Sequence, residues 1–556
     1  MPAFVPTRRS VRPAAHASVA TALLAAAVAA ALSASSACRS TPPEAAEIIL
    51  TGGAIRPHPD EPPAGALAIR GGRVLSIGDE GSVLRHRGPA TRLIDLAGAV
   101  VIPGLGDARA RPIVLGETLL NDAAGGASFL DLGDAQSEED IVQRVRARSR
   151  VTGPGEWILG AGWNESRWVA AHPPDKRLLS DIVGSNPALL VHADGDPVWV
   201  NAKALDAAGI DGRTPDPPGG RIARERIGGA PTGVLWGRAA ELVLRHVPRP
   251  SLEDREAAIL QGLKGDAALG VTVASVIATG GRLGIEDRSA PPEDVLGPWR
   301  DLAGRGRLPL RVSLLVPAPS AAAEALLTGG PEIGLGNGRL DIAALMFDAP
   351  PEGGRADLEA MLRRARARGL GVAIAARGSQ AARDALAALA ATRGDFGQAA
   401  SPRPVERLDL EGPFDPADLH DLGPDGMLIL PSPAAETAVA PLAQALGAGI
   451  ELALAGEGPG GAWSPIATLE MIAGAWPRER GAPEDLGRHL ALRLLTINPA
   501  RAARRLDEIG ILREGSRADF VILSRDPLAA PSTGAGPLKV LATWLDGKEI
   551  FPGARR

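Results

Sequence analysis

Residues 100–111 read VVIPGLGDARAR, and this stretch decides the fold. Its apolar first half, 100–105, predicts a buried strand that contains a Pro-Gly pair. Arg109 and Arg111 follow at alternating positions. Because residues two apart in a strand point to the same face, we expect the two guanidinium groups to lie side by side. Any functional site at the end of this strand therefore contains two permanent cations.

The composition is that of a large soluble protein. A chain of 556 residues can hold a barrel of roughly 250 residues together with a smaller domain. Hydrophobic residues make up 45% and charged residues 22%, which is ordinary for a globular protein. A net charge of −5 and a pI near 6.0 give no basic surface for nucleic acid. Nucleic acid is thereby excluded as a partner.

The N-terminal segment has the layout of a secretory signal. Three arginines at 8, 9 and 12 precede an Ala-, Leu- and Val-rich run at 19–32, and small residues lead from it to Cys38. This single cysteine lies where a bacterial lipoprotein signal places its lipidated residue; cleavage after Ala37 by an ordinary signal peptidase is the alternative. We expect an exported protein, periplasmic or anchored in a bacterial envelope as a lipoprotein, which meets the membrane only through the signal or a lipid on Cys38.

Short apolar strands alternate with helical patterns through the middle of the chain. Strands that alternate with helices form parallel sheets, and eight such units form a (β/α)8 barrel, or TIM barrel. The predicted barrel strands are 100–105, 271–277, 310–316, 342–347, 372–376, 407–410, 427–430 and 452–455. The fold class is therefore α/β.

The remaining segments flank or interrupt this barrel. Both chain ends consist of short strands and Gly turns, which predict one small β-sandwich built from the two ends. The predicted division is a signal peptide and linker at 1–45, a composite β-sandwich at 46–103 and 506–556, and the barrel at 104–505. An inserted subdomain at about 131–244 separates barrel strands 1 and 2.

Three groups of motifs carry a family resemblance. Residues 103–111 match the pattern Pro-Gly-Phe-x-Asp-x-His-x-His, with arginine at both histidine positions. A closing signature contains Gly510, Gly515, Ala518 and Asp519, and the insertion contributes the stretches 157–168, 189–210 and 228–242. These motifs resemble the metal-dependent amidohydrolase superfamily, in particular the branch that includes the N-substituted formamide deformylases. The resemblance implies a TIM barrel beside a small β-sandwich.

The same resemblance implies a hydrolase with one or two divalent metals, such as zinc, at the C-terminal mouth of the barrel. Metal ligands need lone pairs, which imidazole and carboxylate supply, whereas arginine has five donors and no acceptor. The positions that correspond to the family's ligands hold Arg109, Arg111, Met346, Ala375, Leu410 and Glu457. We therefore predict no metal centre and no other cofactor.

Glu457 is the acidic residue that remains among these positions. It follows the eighth strand, which adjoins the first strand in a closed barrel. A bidentate pair between arginine and carboxylate is geometrically natural there. We predict an ion pair between Arg109 or Arg111 and Glu457, joined by Asp196 or Asp409.

A functional variant of this hypothesis leaves the arginines only partly neutralised. The mouth of the barrel would then bind a small anionic ligand, because paired arginines suit carboxylate or phosphate. The residues assigned to this site are Arg109, Arg111, Arg377 and Asp196. His192 is the histidine near this neighbourhood, and we expect it to be packed and hydrogen-bonded in the insertion.

Three functional interpretations remain. The first is an exported, amidohydrolase-like pseudo-hydrolase that binds a small anionic ligand or a partner. The second is an active metal-dependent hydrolase of C–N bonds in amides or N-acyl compounds. The third uses Glu457 as a metal-free general acid or base beside Arg109 and Arg111. The residues indicate neither the identity of a ligand nor an oligomeric state.

Overall fold

The structure is a computed structural model of the chain. It describes residues 44–123, 129–165, 168, 174–193, 195–279, 291–349, 354–394, 406–423, 426–433, 439–456, 463–476, 485–530 and 536–552. Two predicted features, Cys38 with its signal sequence and the carboxylate of Glu457, lie outside the described residues.

The described elements alternate between strands and helices for most of the chain. The strands are β1 (Ile48–Thr51), β2 (Ala54–Ile55), β3 (Ala66–Arg70), β4 (Arg73–Gly78), β5 (Arg92–Asp95), β6 (Val100–Pro103), β7 (Leu105–Ala110), β8 (Leu130–Asp131), β9 (Ile158–Trp163), β10 (Ala188–His192), β11 (Val198–Val200), β12 (Gly220–Arg224), β13 (Pro231–Gly237), β14 (Val271–Ile277), β15 (Arg311–Ala318), β16 (Glu332–Gly334), β17 (Leu340–Asp348), β18 (Gly371–Arg377), β19 (Glu406–Glu411), β20 (Gly426–Pro431), β21 (Leu452–Ala455), β22 (Phe520–Leu523), β23 (Val540–Leu545) and β24 (Lys548–Pro552). The helices are α1 (Glu80–Val83), α2 (Pro112–Ala123), α3 (Glu138–Ser149), α4 (Lys176–Val183), α5 (Ala202–Ala208), α6 (Arg238–Leu244), α7 (Leu252–Ala268), α8 (Pro292–Gly304), α9 (Ala321–Gly329), α10 (Arg355–Ala367), α11 (Gly378–Thr392), α12 (Val439–Gly447), α13 (Pro465–Ala475), α14 (Leu486–Leu495) and α15 (Ile497–Ala502).

Eight parallel strands form a nearly closed barrel, which confirms the predicted fold class. Their order is β7-β14-β15-β17-β18-β19-β20-β21, and β16 adds an antiparallel strand to β17. The last strand, β21, lies beside the first strand, β7. The backbone N–H of Gly456, which follows β21, donates to Asp107 Oδ1 on β7 at 2.9 Å. Alternate residues face the barrel interior, while leucines at the other positions pack against the surrounding helices.

The prediction that 100–105 form the first barrel strand is wrong. Residues 100–103 form β6, which pairs with β2 and β22 in one sheet of the sandwich, and the barrel begins with β7. The Pro-Gly pair separates the two strands, since the Gly104 N–H donates to the Asp519 carbonyl at 3.0 Å. A side chain at Gly104 would collide with Thr272. Arg109 therefore belongs to a different strand from residues 100–103, and Arg111 directly follows that strand.

Two small sheets from the chain ends pack together beside the barrel. One has the strand order β4-β3-β1-β5 and the other β2-β6-β22-β23-β24. Their shared core includes Phe520 stacked on Trp544, with ring centroids 5.3 Å apart. The buried side chain of Arg311, at the start of β15, reaches from the barrel to Asp519 in this sandwich.

The insertion between β7 and β14 forms a third sheet, in the order β12-β13-β11-β10-β9-β8. It has apolar cores of its own, in which Trp163 and Trp199 are fully buried. The hairpin of β12 and β13 extends from this sheet to the C-terminal mouth of the barrel, where both strands contribute residues to a cavity.

No helix in the part of the chain that the structure describes is long and apolar enough to cross a membrane.

Candidate functional site

A cavity of about 660 Å³ opens at the C-terminal mouth of the barrel, and we call it the mouth cavity. The ends of barrel strands form its floor, and the β12–β13 hairpin forms one wall. Its charged lining residues are five arginines and four carboxylates, namely Arg109, Arg111, Arg221, Arg238, Arg377, Asp196, Asp348, Glu241 and Glu411.

A chain of ion pairs crosses the floor of the mouth cavity. Glu411 accepts Arg109 on one carboxylate oxygen and Arg377 on the other, each at 3.1 Å. Arg377 also pairs with Asp196, its Nη1 lying 3.3 Å from Asp196 Oδ2. The other oxygen of Asp196 accepts the Gly237 N–H at 2.8 Å. Strands β7, β18 and β19 are thus connected to the insertion through charged groups.

Strand register explains why these side chains meet. Arg377 pairs with Glu411 across the parallel strands β18 and β19, so both lie on the inward face at the same level. Burial alone would raise the pKa of Glu411, but the guanidinium groups of Arg109, Arg377 and Arg111 lower it. Glu411 is therefore held as an anion.

Asp107 lies beneath this chain and is fully buried. Its Oδ1 accepts the backbone N–H groups of Arg109 at 2.8 Å and of Gly456 at 2.9 Å. Burial raises the pKa of Asp107 to about 6, although these two hydrogen bonds and the charges of Arg109 and Arg407 act in the opposite direction. The side chain of Asp107 thus joins the first strand to the residue that follows the last strand.

The predicted ion pair with Glu457 stays a prediction, and the structure shows a different acidic partner for Arg109. Arg109 pairs with Glu411, on the sixth barrel strand, and Glu457 lies outside the described residues. Asp409 does not join Arg109, because Arg407 on the same strand occupies it at 2.9 Å. Residues two apart on one strand face lie close enough for this local pair to form.

Arg111, Arg377 and Asp196 all line the mouth cavity, together with Arg109. The charge of Arg111 acts on Glu411, and Asp196 contacts Arg377. The four residues assigned to an anion site therefore lie around one space.

Of the apolar residues at the family's ligand positions, Met346 and Ala375 line the mouth cavity. Leu410 does not, and its assignment to the mouth is wrong. It is fully buried in the layer between barrel and helices, beside Ala376 in register. Since side chains alternate along β19, the mouth residue at this level is its neighbour Glu411.

Two residues of the site were not singled out from the sequence. Glu411 continues the alternation Arg407, Asp409, Glu411, which was visible as an inward polar face of one strand. Trp236 lies on the insertion hairpin, and no sequence signal placed it at the mouth.

His192 is buried in the insertion, where its ring packs edge-on against Trp163 with centroids 4.7 Å apart. Its Nε2 lies 3.1 Å from Glu165 Oε2. It does not line the mouth cavity.

The described residues at the mouth do not fit a divalent metal ion. Guanidinium groups, a thioether and a methyl group occupy positions where a metal would need imidazole or carboxylate. The carboxylate of Glu411 is shared between two arginines. Within the described ranges, no three His, Cys, Asp or Glu side chains are grouped to hold a metal ion.

Comparison with known proteins assigns the family. Residues 92–551 match the model of the amidohydrolase family. The chain belongs to the amidohydrolase family. This family assignment confirms the resemblance that the strand and insertion motifs indicated.

Two curated relatives align with almost the whole of this amidohydrolase-family chain. The protein LONG AFTER FAR-RED 3 of Arabidopsis thaliana is 28% identical, over 92% of this chain and 93% of its own length. The N-substituted formamide deformylase of Arthrobacter pascens is 25% identical, over 87% of this chain and 94% of its own.

Solved structures share the fold. An uncharacterized metal-dependent hydrolase from Pyrococcus horikoshii has a TM-score of 0.62 at 21% identity, covering 87% of this chain and 98% of that one. A corresponding hydrolase from Pyrococcus furiosus has a TM-score of 0.60 at 21% identity, covering 87% and 100%. At this identity the likeness establishes the architecture alone.

Proposed function

We propose that this amidohydrolase-family protein is an exported pseudo-hydrolase without metal-dependent chemistry, and that its barrel mouth binds a small anionic ligand. The observation that carries the proposal is the placement of Arg109 and Arg377 on one shared carboxylate, Glu411. Guanidinium groups replace lone-pair donors there, so the mouth attracts anions and repels a divalent cation.

The charge balance of the mouth cavity supports an anionic ligand. Among the described residues that line it, arginines outnumber carboxylates by five to four. A volume of about 660 Å³ lies within the range of small-molecule sites, roughly 300 to 1,000 Å³. An anion that entered the cavity would meet planar donors suited to carboxylate or phosphate.

The competing candidate is an active hydrolase of C–N bonds in amides or N-acyl compounds. The name of the formamide deformylase relative favours it. The donor set of the mouth argues against it, because Met346 and Ala375 stand where the family places lysine and histidine.

Metal analysis and an anion screen separate these candidates. The purified mature chain is expected to retain much less than one equivalent of zinc, manganese or iron after exposure to each metal. Acetate or phosphate at matched ionic strength is expected to raise its melting temperature by preferential binding to the folded state.

A variant pair locates the anion site. Arg377→Gln removes a mouth arginine and is expected to abolish the thermal shift, whereas Arg213→Gln alters an exposed arginine of the insertion and preserves it. Tightly held metal near one equivalent, with turnover of an amide substrate, overturns the proposal. So does an anion effect of equal size in both variants.

Export is a separate part of the proposal and rests on the N-terminal segment. Expression of the full chain in a bacterium, followed by fractionation, is expected to place it in the envelope. Cys38→Ser removes the thiol to which a lipid would be attached, and retention of the full chain in the cytoplasm contradicts export.

A further inference from the structure

An aromatic residue faces the mouth cavity from the insertion. Trp236 on β13 pairs in register with Arg221 on β12, and the guanidinium carbon lies 5.1 Å from the ring centroid. Their neighbours Ile222 and Leu235 are buried in the core of the insertion. Since strand residues alternate, Trp236 and Arg221 face away from that core, and both line the mouth cavity.

This pair is connected directly to the arginines of the floor. The residue after Trp236 is Gly237, whose N–H donates to Asp196 at 2.8 Å. Asp196 in turn contacts Arg377, which shares Glu411 with Arg109. A planar apolar surface and a cationic cluster therefore lie at adjoining parts of one cavity, linked by fixed contacts.

We propose that the ligand of the mouth cavity is a monocarboxylate that carries a planar group, an inference that rests on the proposed anion binding. The carboxylate binds the arginines of the floor, and the planar group packs against Trp236 and the guanidinium of Arg221. The described lining residues contain more arginines than carboxylates, which favours an anionic group. Indole and guanidinium planes both favour contact with planar groups.

The test compares three probes by calorimetry on the full mature chain. Phenylacetate carries both features, acetate only the carboxylate, and phenylacetamide only the ring. Phenylacetate is expected to bind at least about fivefold more tightly than acetate, the factor that one aromatic contact contributes. Phenylacetamide is expected to bind more weakly than phenylacetate.

Two variants assign the effect to the hairpin. Trp236→Leu is expected to reduce the preference for phenylacetate over acetate to about twofold or less, since it removes the aromatic contact. Arg221→Gln, at an exposed residue, reduces it without disturbing the core, and Arg213→Gln serves as the matched control.

The outcomes distinguish this inference from the proposed function. If acetate and phenylacetate bind equally, or if both hairpin variants keep the preference, the planar-group inference is wrong while anion binding stands. If neither acetate nor phenylacetate binds, the proposed anion binding is wrong, and the planar-group inference that rests on it is wrong as well.

Discussion

Arg109 Nη1 on the first barrel strand lies 3.1 Å from Oε1 of Glu411 on the sixth strand. The arginine side chain is only 8% exposed, while the glutamate is 35% exposed. The carboxylate also accepts Arg377, whose second acidic partner is Asp196, so Glu411 contacts two guanidinium groups. Replacing Glu411 should therefore lower the stability of the fold and strengthen anion binding.

Glu411→Gln is expected to destabilise the fold by about 1 to 2 kcal/mol, because Arg109 loses its charged acceptor in a largely buried position. The cost stays below that of a fully buried pair because water reaches Glu411. The same change adds one net positive charge to the mouth cavity, so acetate should bind more tightly. Urea unfolding and calorimetry measure the two effects.

Glu324→Gln is the matched control for this change, since its partner Arg364 is exposed on the surface. It should alter stability by less than about 1 kcal/mol and leave acetate affinity unchanged. Weaker acetate binding in Glu411→Gln would contradict the assignment of Glu411 as the compensating anion.

Asp107 makes stability depend on pH in a predictable direction. Burial raises its pKa from 3.8 to about 6 in the folded state, so the folded chain binds the proton more tightly than the unfolded chain. Folding stability therefore falls as pH rises from about 4 to about 6 and is constant above that range, as far as this group contributes. Buried Asp266, whose pKa is also raised by burial and by Asp107, adds a slope of the same sign.

Asp107→Asn removes this contribution together with the effect of the Asp107 charge on the pKa of Asp266. Both hydrogen bonds of Asp107 end on Oδ1, and an amide oxygen can accept them in the same way. The variant should match the parent near pH 4 and exceed it by about 2 to 3 kcal/mol near pH 7. Urea unfolding across this range measures the difference, and a difference that does not change with pH would refute the assignment.

The barrel could be predicted from the sequence because its signals are local. Apolar strands, helical spacing and Gly turns each extend over a few residues, and seven of the predicted barrel strands coincide with strands of the structure. The first did not, because 100–103 and 105–110 are both strand-forming. The pairing of 100–103 with β2 and β22, and of 105–110 with β14, shows which strand belongs to the sandwich and which to the barrel.

The site was predicted less completely than the fold. The family's motif on this strand places its last ligand position at Leu410 and does not include Glu411. The alternation of side chains from Arg407 nevertheless puts Glu411 on the inward face. Trp236 could not be placed, since its position depends on the register of an inserted hairpin against Arg221. Contacts between distant segments determine the site, and no single motif contains them.

Arg311 joins the barrel to the sandwich through buried charges. Its Nε lies 2.6 Å and its Nη2 3.0 Å from the two oxygens of Asp519, and both side chains are almost fully buried.

Arg311→Met should cost about 3 to 5 kcal/mol in urea unfolding, because Asp519 keeps its charge without this partner. The double variant Arg311→Met with Asp519→Leu should be more stable than the single one, since no buried carboxylate is left at position 519. Arg364→Met, which breaks an exposed pair, is the control and should cost much less than Arg311→Met. Equal losses in Arg311→Met and Arg364→Met would show that the buried pair does not hold the two domains together.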